Sequence, residues 1–241
     1  MAVEIGKLDE IHAIFGVRGS GKSTFMVMLS HELRTHYGGY FIGHSPGARL
    51  PTKLPDGKDS LISWHDSIKG MERGLQRTPE RIHIMVDGDP EEVVEYGRAI
   101  AHATRKRAVE KAGFRFRDNR PVPPGVMAEP TFVLIDEGVL IDDAQKGNIR
   151  KVDKEWERFL TGARHEHVGL LWGIQRPTSK NWALTEQATQ IHVFHYSHEW
   201  GLNSLRAAGV PREEIAKISS LPKYQHVTYN TWDLVKKDSP Q

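Results

Sequence analysis

Gly16-Val17-Arg18-Gly19-Ser20-Gly21-Lys22-Ser23-Thr24 is the stretch whose residue types and spacing dictate a chemistry by themselves. It satisfies G-x-x-x-x-G-K-[ST]. Glycines let the backbone turn back on itself, so that successive N–H groups point at phosphate oxygens. Lys22 can reach β- and γ-phosphates and the Ser23 hydroxyl can ligate Mg2+, so the implied ligand is a nucleoside triphosphate. A second stretch, Thr131-Phe132-Val133-Leu134-Ile135-Asp136-Glu137, is an apolar run without alternation that ends in two acids. A buried central strand would deliver both carboxylates to its C-terminal edge, Asp136 to the metal and Glu137 to orient and deprotonate a water. Asp142-Asp143 is a rival pair, but it falls in what reads as the following loop. Gln175 ends a third apolar run, the buried strand read within 163–177, where its amide could sense the γ-phosphate or the attacking water.

These groups need a scaffold that brings three separate stretches to one edge. Residues 11–15 read as a strand leading into the loop, and apolar residues 25, 26, 29 and 33 read as a helix leaving it from near Ser23. The positive end of that helix would face the phosphates. Gly38-Gly39 ends the helix, and residues 40–43 read as a strand. Residues 45–60 are loop, 61–64 a brief strand, and 81–86 a strand of the central sheet. Asp89-Pro90-Glu91-Glu92 starts a helix that runs to about Ala108. A helix from Asp153, with Trp156, Phe159 and Leu160 on one face, precedes the run that ends at Gln175. Residues 190–196 form a further strand, 200–208 and 211–219 are helical, and 224–229 form an edge strand. Alternating strands and helices imply an α/β fold, a mostly parallel sheet with helices on both faces. One domain spans 1–241, with a basic insertion at about 105–125 and a C-terminal strand and helix extension at about 190–241.

With 241 residues, 27% charged and 38% hydrophobic, the chain has the composition of a soluble globular protein. Its net charge of +2 means that any nucleic-acid surface is local. The absence of cysteine excludes disulfides and thiolate metal sites and suits a reducing cytoplasm. Residues 1–9 have no signal-peptide core and the apolar runs are too short to cross a bilayer, so the expectation is a soluble, intracellular protein. Charge is uneven at 105–120, where Arg105, Lys106, Arg107, Lys111, Arg115, Arg117 and Arg120 face only Glu110 and Asp118. Phe114 and Phe116 alternate with Arg115 and Arg117, a pattern that could stack on bases and grip phosphates. The same residues also fit a solvated helix end followed by a β-hairpin with two core phenylalanines, and both readings stand at this point. His192, His195 and His198 invite a metal, but a strand puts His195 on the opposite face from the other two. His165 and His167 flank Glu166 without making H-E-x-x-H.

The order of motifs resembles a known family. A phosphate loop, an apolar strand ending Asp136-Glu137, then Ala163-Arg164 and an apolar strand ending Gln175-Arg176-Pro177 look like the FtsK/HerA class of ring-forming DNA-pumping ATPases. The compact length is most similar to the genome-packaging ATPases of tailless, membrane-containing icosahedral viruses. The resemblance implies a RecA/FtsK-like P-loop NTPase sandwich that hydrolyses ATP with Mg2+. In it Gly16 to Thr24 bind nucleotide, Lys22, Glu137 and Gln175 are catalytic, and Ser23 and Asp136 hold the metal. Arg164, eleven residues before Gln175, matches an arginine that reaches the neighbouring subunit's ATP, with Arg176, Arg158 and Arg150 as competitors. The implied partners are double-stranded DNA, gripped here by Arg105, Lys106, Arg107, Arg115 and Arg117, further copies in a ring of usually six, and capsid or portal-vertex proteins. Host cytoplasm or virion is the implied location, without membrane insertion. Other readings are a cellular HerA-like or filamentous-phage assembly ATPase, a small-molecule kinase, and a nucleotide-controlled switch. The guanine-reading Asn-Lys-x-Asp of GTPase switches does not occur.

Overall fold

The computed structural model describes residues 10–118, 120, 122–136, 168–175, 187–197, 199–207 and 210–230. Ile11–Phe15 forms β1, buried throughout, and Lys22–Tyr37 forms α1, which presents Phe25, Met26, Leu29 and Leu33 to the core. Then follow β2 (Tyr40–His44), β3 (Ile62–His65), α2 (Ile68–Arg77), β4 (Ile82–Met85), α3 (Pro90–Lys111), β5 (Thr131–Ile135) and β6 (Val168–Ile174). The last elements are β7 (Gln190–Phe194), α4 (Glu199–Ala207), α5 (Arg212–Ser220) and β8 (His226–Asn230).

All eight strands join one sheet in the order β3-β4-β2-β5-β6-β1-β7-β8. Every neighbouring pair is parallel except β7 with β8. Alternation along the strands builds two apolar layers. On one face Ile14, Phe41, Phe132, Leu134 and Leu171 pack with the buried stripe of α1. On the other, Ile42, Val133, Ile135, Leu170 and Trp172 pack with Met71 and Leu75 of α2, Val93 and Ala101 of α3, Leu205 of α4, and Ile215 and Ile218 of α5. Each such side chain gains roughly 1.5–3 kcal/mol from burial, so a sheet covered on both faces is the stable solution. The structure is therefore the α/β sandwich that the alternation of strands and helices implied.

Differences from the sequence reading are local. Helix α2 was not anticipated; its N-cap Ser67 accepts from Gly70 N at 3.2 Å. Helix α3 starts where expected, with Asp89 accepting from Glu91 N at 3.0 Å, and continues past Ala108 to Lys111. No hairpin follows it among the described residues. Residues 112–118 are irregular, and Phe114 is 51% exposed rather than in the core. The helix expected from Asp153 lies outside the described residues. Among the described residues no helix is long and apolar enough to cross a membrane.

Candidate nucleotide site

The loop between β1 and α1 is held from inside. Buried Lys22 donates from Nζ to Gly16 O at 2.7 Å and to Val17 O at 3.2 Å. Gly16 N donates to Ile174 O at 3.2 Å, which ties the loop to the end of β6. Gly19 and Gly21 take φ of 77° and 105°, left-handed values that a side chain resists. At Gly21 a Cβ would also stand only 3.1 Å from Cδ1 of Tyr224. Ser20 is buried, and its hydroxyl has no hydrogen-bond partner among the described residues. Leaving a buried hydroxyl unsatisfied costs about 1–3 kcal/mol, a cost that an anionic ligand rich in acceptors removes. The loop thus fits a polyphosphate.

Across from it, Asp136 directly follows β5 and is only 3% exposed. Its backbone N donates to His44 O at 2.9 Å, which fixes where the carboxylate emerges. Ser23 Oγ donates to Oδ1 and Oδ2 at 3.3 and 3.4 Å, and Ser45 Oγ donates to Oδ2 at 3.1 Å. Two hydroxyls and a carboxylate form a hard-oxygen donor set of the kind Mg2+ takes. Ser45 directly follows β2, the strand beside β5, at the start of the loop expected from residue 45. Strand β6 lies between β1 and β5. Its alternation gives Leu171 to the layer that α1 covers, so Gly173 and Gln175 follow on that face; a Cβ at Gly173 would stand 3.5 Å from Asp136 Oδ1. Loop, Ser23, Asp136 and Gln175 therefore share one face of the sheet at the C-terminal ends of its strands. Glu137, Arg164 and the competing Arg150, Arg158 and Arg176 lie outside the described residues.

The basic stretch divides. Lys106, Arg107, Arg115 and Arg117 are not buried as Arg105 is. Arg105 is 3% exposed, donates from Nη2 to Arg120 O at 3.1 Å, and sits 5.9 Å from the Phe116 ring centroid. It is placed to hold the stretch against α3, which corrects its assignment as a surface contact. His102 Nε2 and Asp118 Oδ1, 2.9 Å apart, make a second tie.

Behind the loop lies a chain of histidines. Nδ1 of His12 meets Nε2 of His192 at 3.1 Å, and Nδ1 of His192 meets Thr228 Oγ1 at 2.9 Å. Burial pushes His12 down to about 4. His192 falls well below its ordinary value through burial, then the proximity of His12 and His226. These rings are neutral packing groups at pH 7. His195 bonds Leu221 O through Nδ1 at 3.1 Å, and His198 lies outside the described residues.

Solved structures share this architecture. The genome-packaging NTPase B204 of Sulfolobus turreted icosahedral virus 2, in complex with AMP, is 16% identical with a TM-score of 0.62, over 95% of this chain and 96% of that one. Its complex with AMPPCP gives 16% and 0.61, over 95% of each chain. The pCW3 conjugation coupling protein TcpA, in its monomer form with ATPgS, is 13% identical with a TM-score of 0.52, over 96% of this chain and 66% of that one. No protein-family model and no curated protein matches the sequence. The chain has the fold of the FtsK/HerA-type P-loop ATPases.

Proposed function

We propose that this chain hydrolyses ATP and uses the energy to pump double-stranded DNA into a viral capsid. The observation that carries the hydrolytic part is the meeting of the Lys22 loop with Ser23, Ser45 and Asp136, with Gln175 directly after the strand between them. Loop N–H groups and Lys22 bind and orient the phosphates. Ser23 and Asp136 would hold Mg2+, which neutralises phosphate charge when bound. Glu137, next in sequence to Asp136, takes the proton of the attacking water, and Gln175 orients that water beside the γ-phosphate. Arg164 acts in trans on the ATP of the neighbouring copy, so hydrolysis requires assembly. The similarity in fold to B204, a genome-packaging NTPase, supports the packaging role. Under this reading residues 1–241 are one ATPase domain that works as a ring in the host cytoplasm and meets capsid or portal-vertex proteins.

The test is ATP hydrolysis across a protein-concentration series, with and without double-stranded DNA. Turnover should rise more than in proportion to protein and should be stimulated by DNA. Glu137→Gln should bind ATP and lose hydrolysis, and Arg164→Ala should bind ATP and lose hydrolysis at every protein concentration. Proportional, DNA-blind hydrolysis would sink the motor reading and return the kinase or switch.

A further inference from the structure

The phosphate loop has two flanks. On one, β6 and β5 bring Gln175 and Asp136, the groups suited to a terminal phosphate. On the other stand β7 and β8, with the turn that joins α5 to β8. A triphosphate whose terminal phosphate faces Asp136 must send its ribose and base the other way, past the N-terminus of α1. Tyr224 stands there. Its Cδ1 and Cα lie 3.1 and 3.6 Å from where a Cβ would be on Gly21, the residue that caps α1.

Three features mark this ring as a built surface. It is 64% exposed although it stands beside the loop, so much of its aromatic surface is left to water among the described residues. Its backbone takes φ of 70°, a left-handed value that a bulky residue rarely adopts. The turn that carries it is held from several sides. Gln225 N donates to Pro222 O at 3.1 Å, Lys223 Nζ lies 4.8 Å from the ring centroid, and β8 pairs with β7 directly after. Beneath, Phe194 stacks on His226 with centroids 4.9 Å apart, and Phe194 Cε1 reaches to 3.5 Å from the same Gly21 position.

Resting on the nucleotide-hydrolysis reading above, we infer that Tyr224 is the platform on which the base of the bound nucleotide stacks. An aromatic face rewards stacking area and reads no donor–acceptor pattern. The site therefore takes purine nucleotides over pyrimidine nucleotides and separates adenine from guanine weakly.

Calorimetric titration of the full chain with ATP, GTP, CTP, UTP and inorganic triphosphate, each with Mg2+, tests this. Tyr224→Gly removes the ring while accepting the left-handed backbone without strain. Tyr224→Phe keeps the stacking face. Tyr224→Gly should bind ATP about tenfold more weakly or worse, should lose the purine preference, and should bind inorganic triphosphate as the parent does. Tyr224→Phe should match the parent for every ligand. Unchanged ATP affinity in Tyr224→Gly overturns the platform while leaving the nucleotide reading intact. Equal losses for ATP and inorganic triphosphate also overturn it, because Tyr224 would then be supporting the loop. If the parent binds neither, the nucleotide reading falls and the platform with it.

Discussion

Ser45 orients the carboxylate on which the site turns, yet nothing in its immediate sequence marks it. Its hydroxyl bonds Asp136 Oδ2 across 91 residues of chain. A hydrogen bond to a charged group is worth about 1.5–3 kcal/mol, so Ser45→Ala should lower turnover about tenfold and raise the Mg2+ concentration needed for half activity. Unchanged turnover and Mg2+ dependence would reduce Ser45 to packing. The placement of the loop, Asp136 and Gln175 at strand ends was legible because each follows a short apolar run of the length and content of a buried strand. Ser45 was not, because its role exists only once β2 lies beside β5, and strand order is not written locally. The histidines make a prediction of their own. Folding keeps His12 neutral down to about pH 4, while an unfolded imidazole takes its proton near pH 6.5. Above pH 6.5 both states are neutral and stability does not change on this account. From there down to about pH 4 the unfolded chain binds the extra proton, so stability falls by up to ~1.4 kcal/mol per pH unit; below that no further loss accrues. Urea unfolding at pH 7.5 and 5.0 should show this fall, and His12→Gln should reduce it, with buried His192 supplying part of what remains. Equal slopes in parent and variant would show that His12 titrates normally in the fold.

At the scale of elements, α3 and the basic stretch behind it separate fold from surface. Arg105 is buried against Arg120 and Phe116, whereas Arg115 and Arg117 lie beyond the helix end and are open to solvent. Replacing Arg115 and Arg117 with glutamine should weaken binding to double-stranded DNA. It should also reduce the slope of log affinity against log salt by up to about 2, near one for each phosphate no longer neutralised. Arg105→Ala should instead lower thermal stability and leave that slope alone. Affinity and slope that ignore Arg115 and Arg117 would place the DNA surface elsewhere. Helix α2 shows why some elements escaped the sequence reading. Ser67 and the pair Met71 and Leu75 are helix signals, but Gly70 and Gly74 weaken them. Gly74 is demanded from outside the helix, since a Cβ there would stand 2.6 Å from His65 Cε1 and 2.7 Å from His83 Nδ1. A tertiary contact between α2 and two strands thus set a residue that local propensity argues against.

At the scale of the whole molecule, the sheet order places the earliest strand in the chain among the latest. Strand β1 pairs with β6, Ile11 opposite Leu170, and with β7, His12 opposite Gln190. On a ribosome, then, the segment that opens the nucleotide loop leaves the exit tunnel long before the two strands that flank it. At roughly 5–20 residues per second that delay is on the order of ten seconds or more, during which an apolar strand has neither neighbour. Strands β2 and β4 can pair sooner, so the half of the sheet away from the loop has the shorter wait. Nascent chains arrested before β6 emerges should therefore pass over immobilised ATP and engage chaperones, while chains displayed in full should be retained. Retention of the shorter chains would mean that the loop assembles without the strands that flank it.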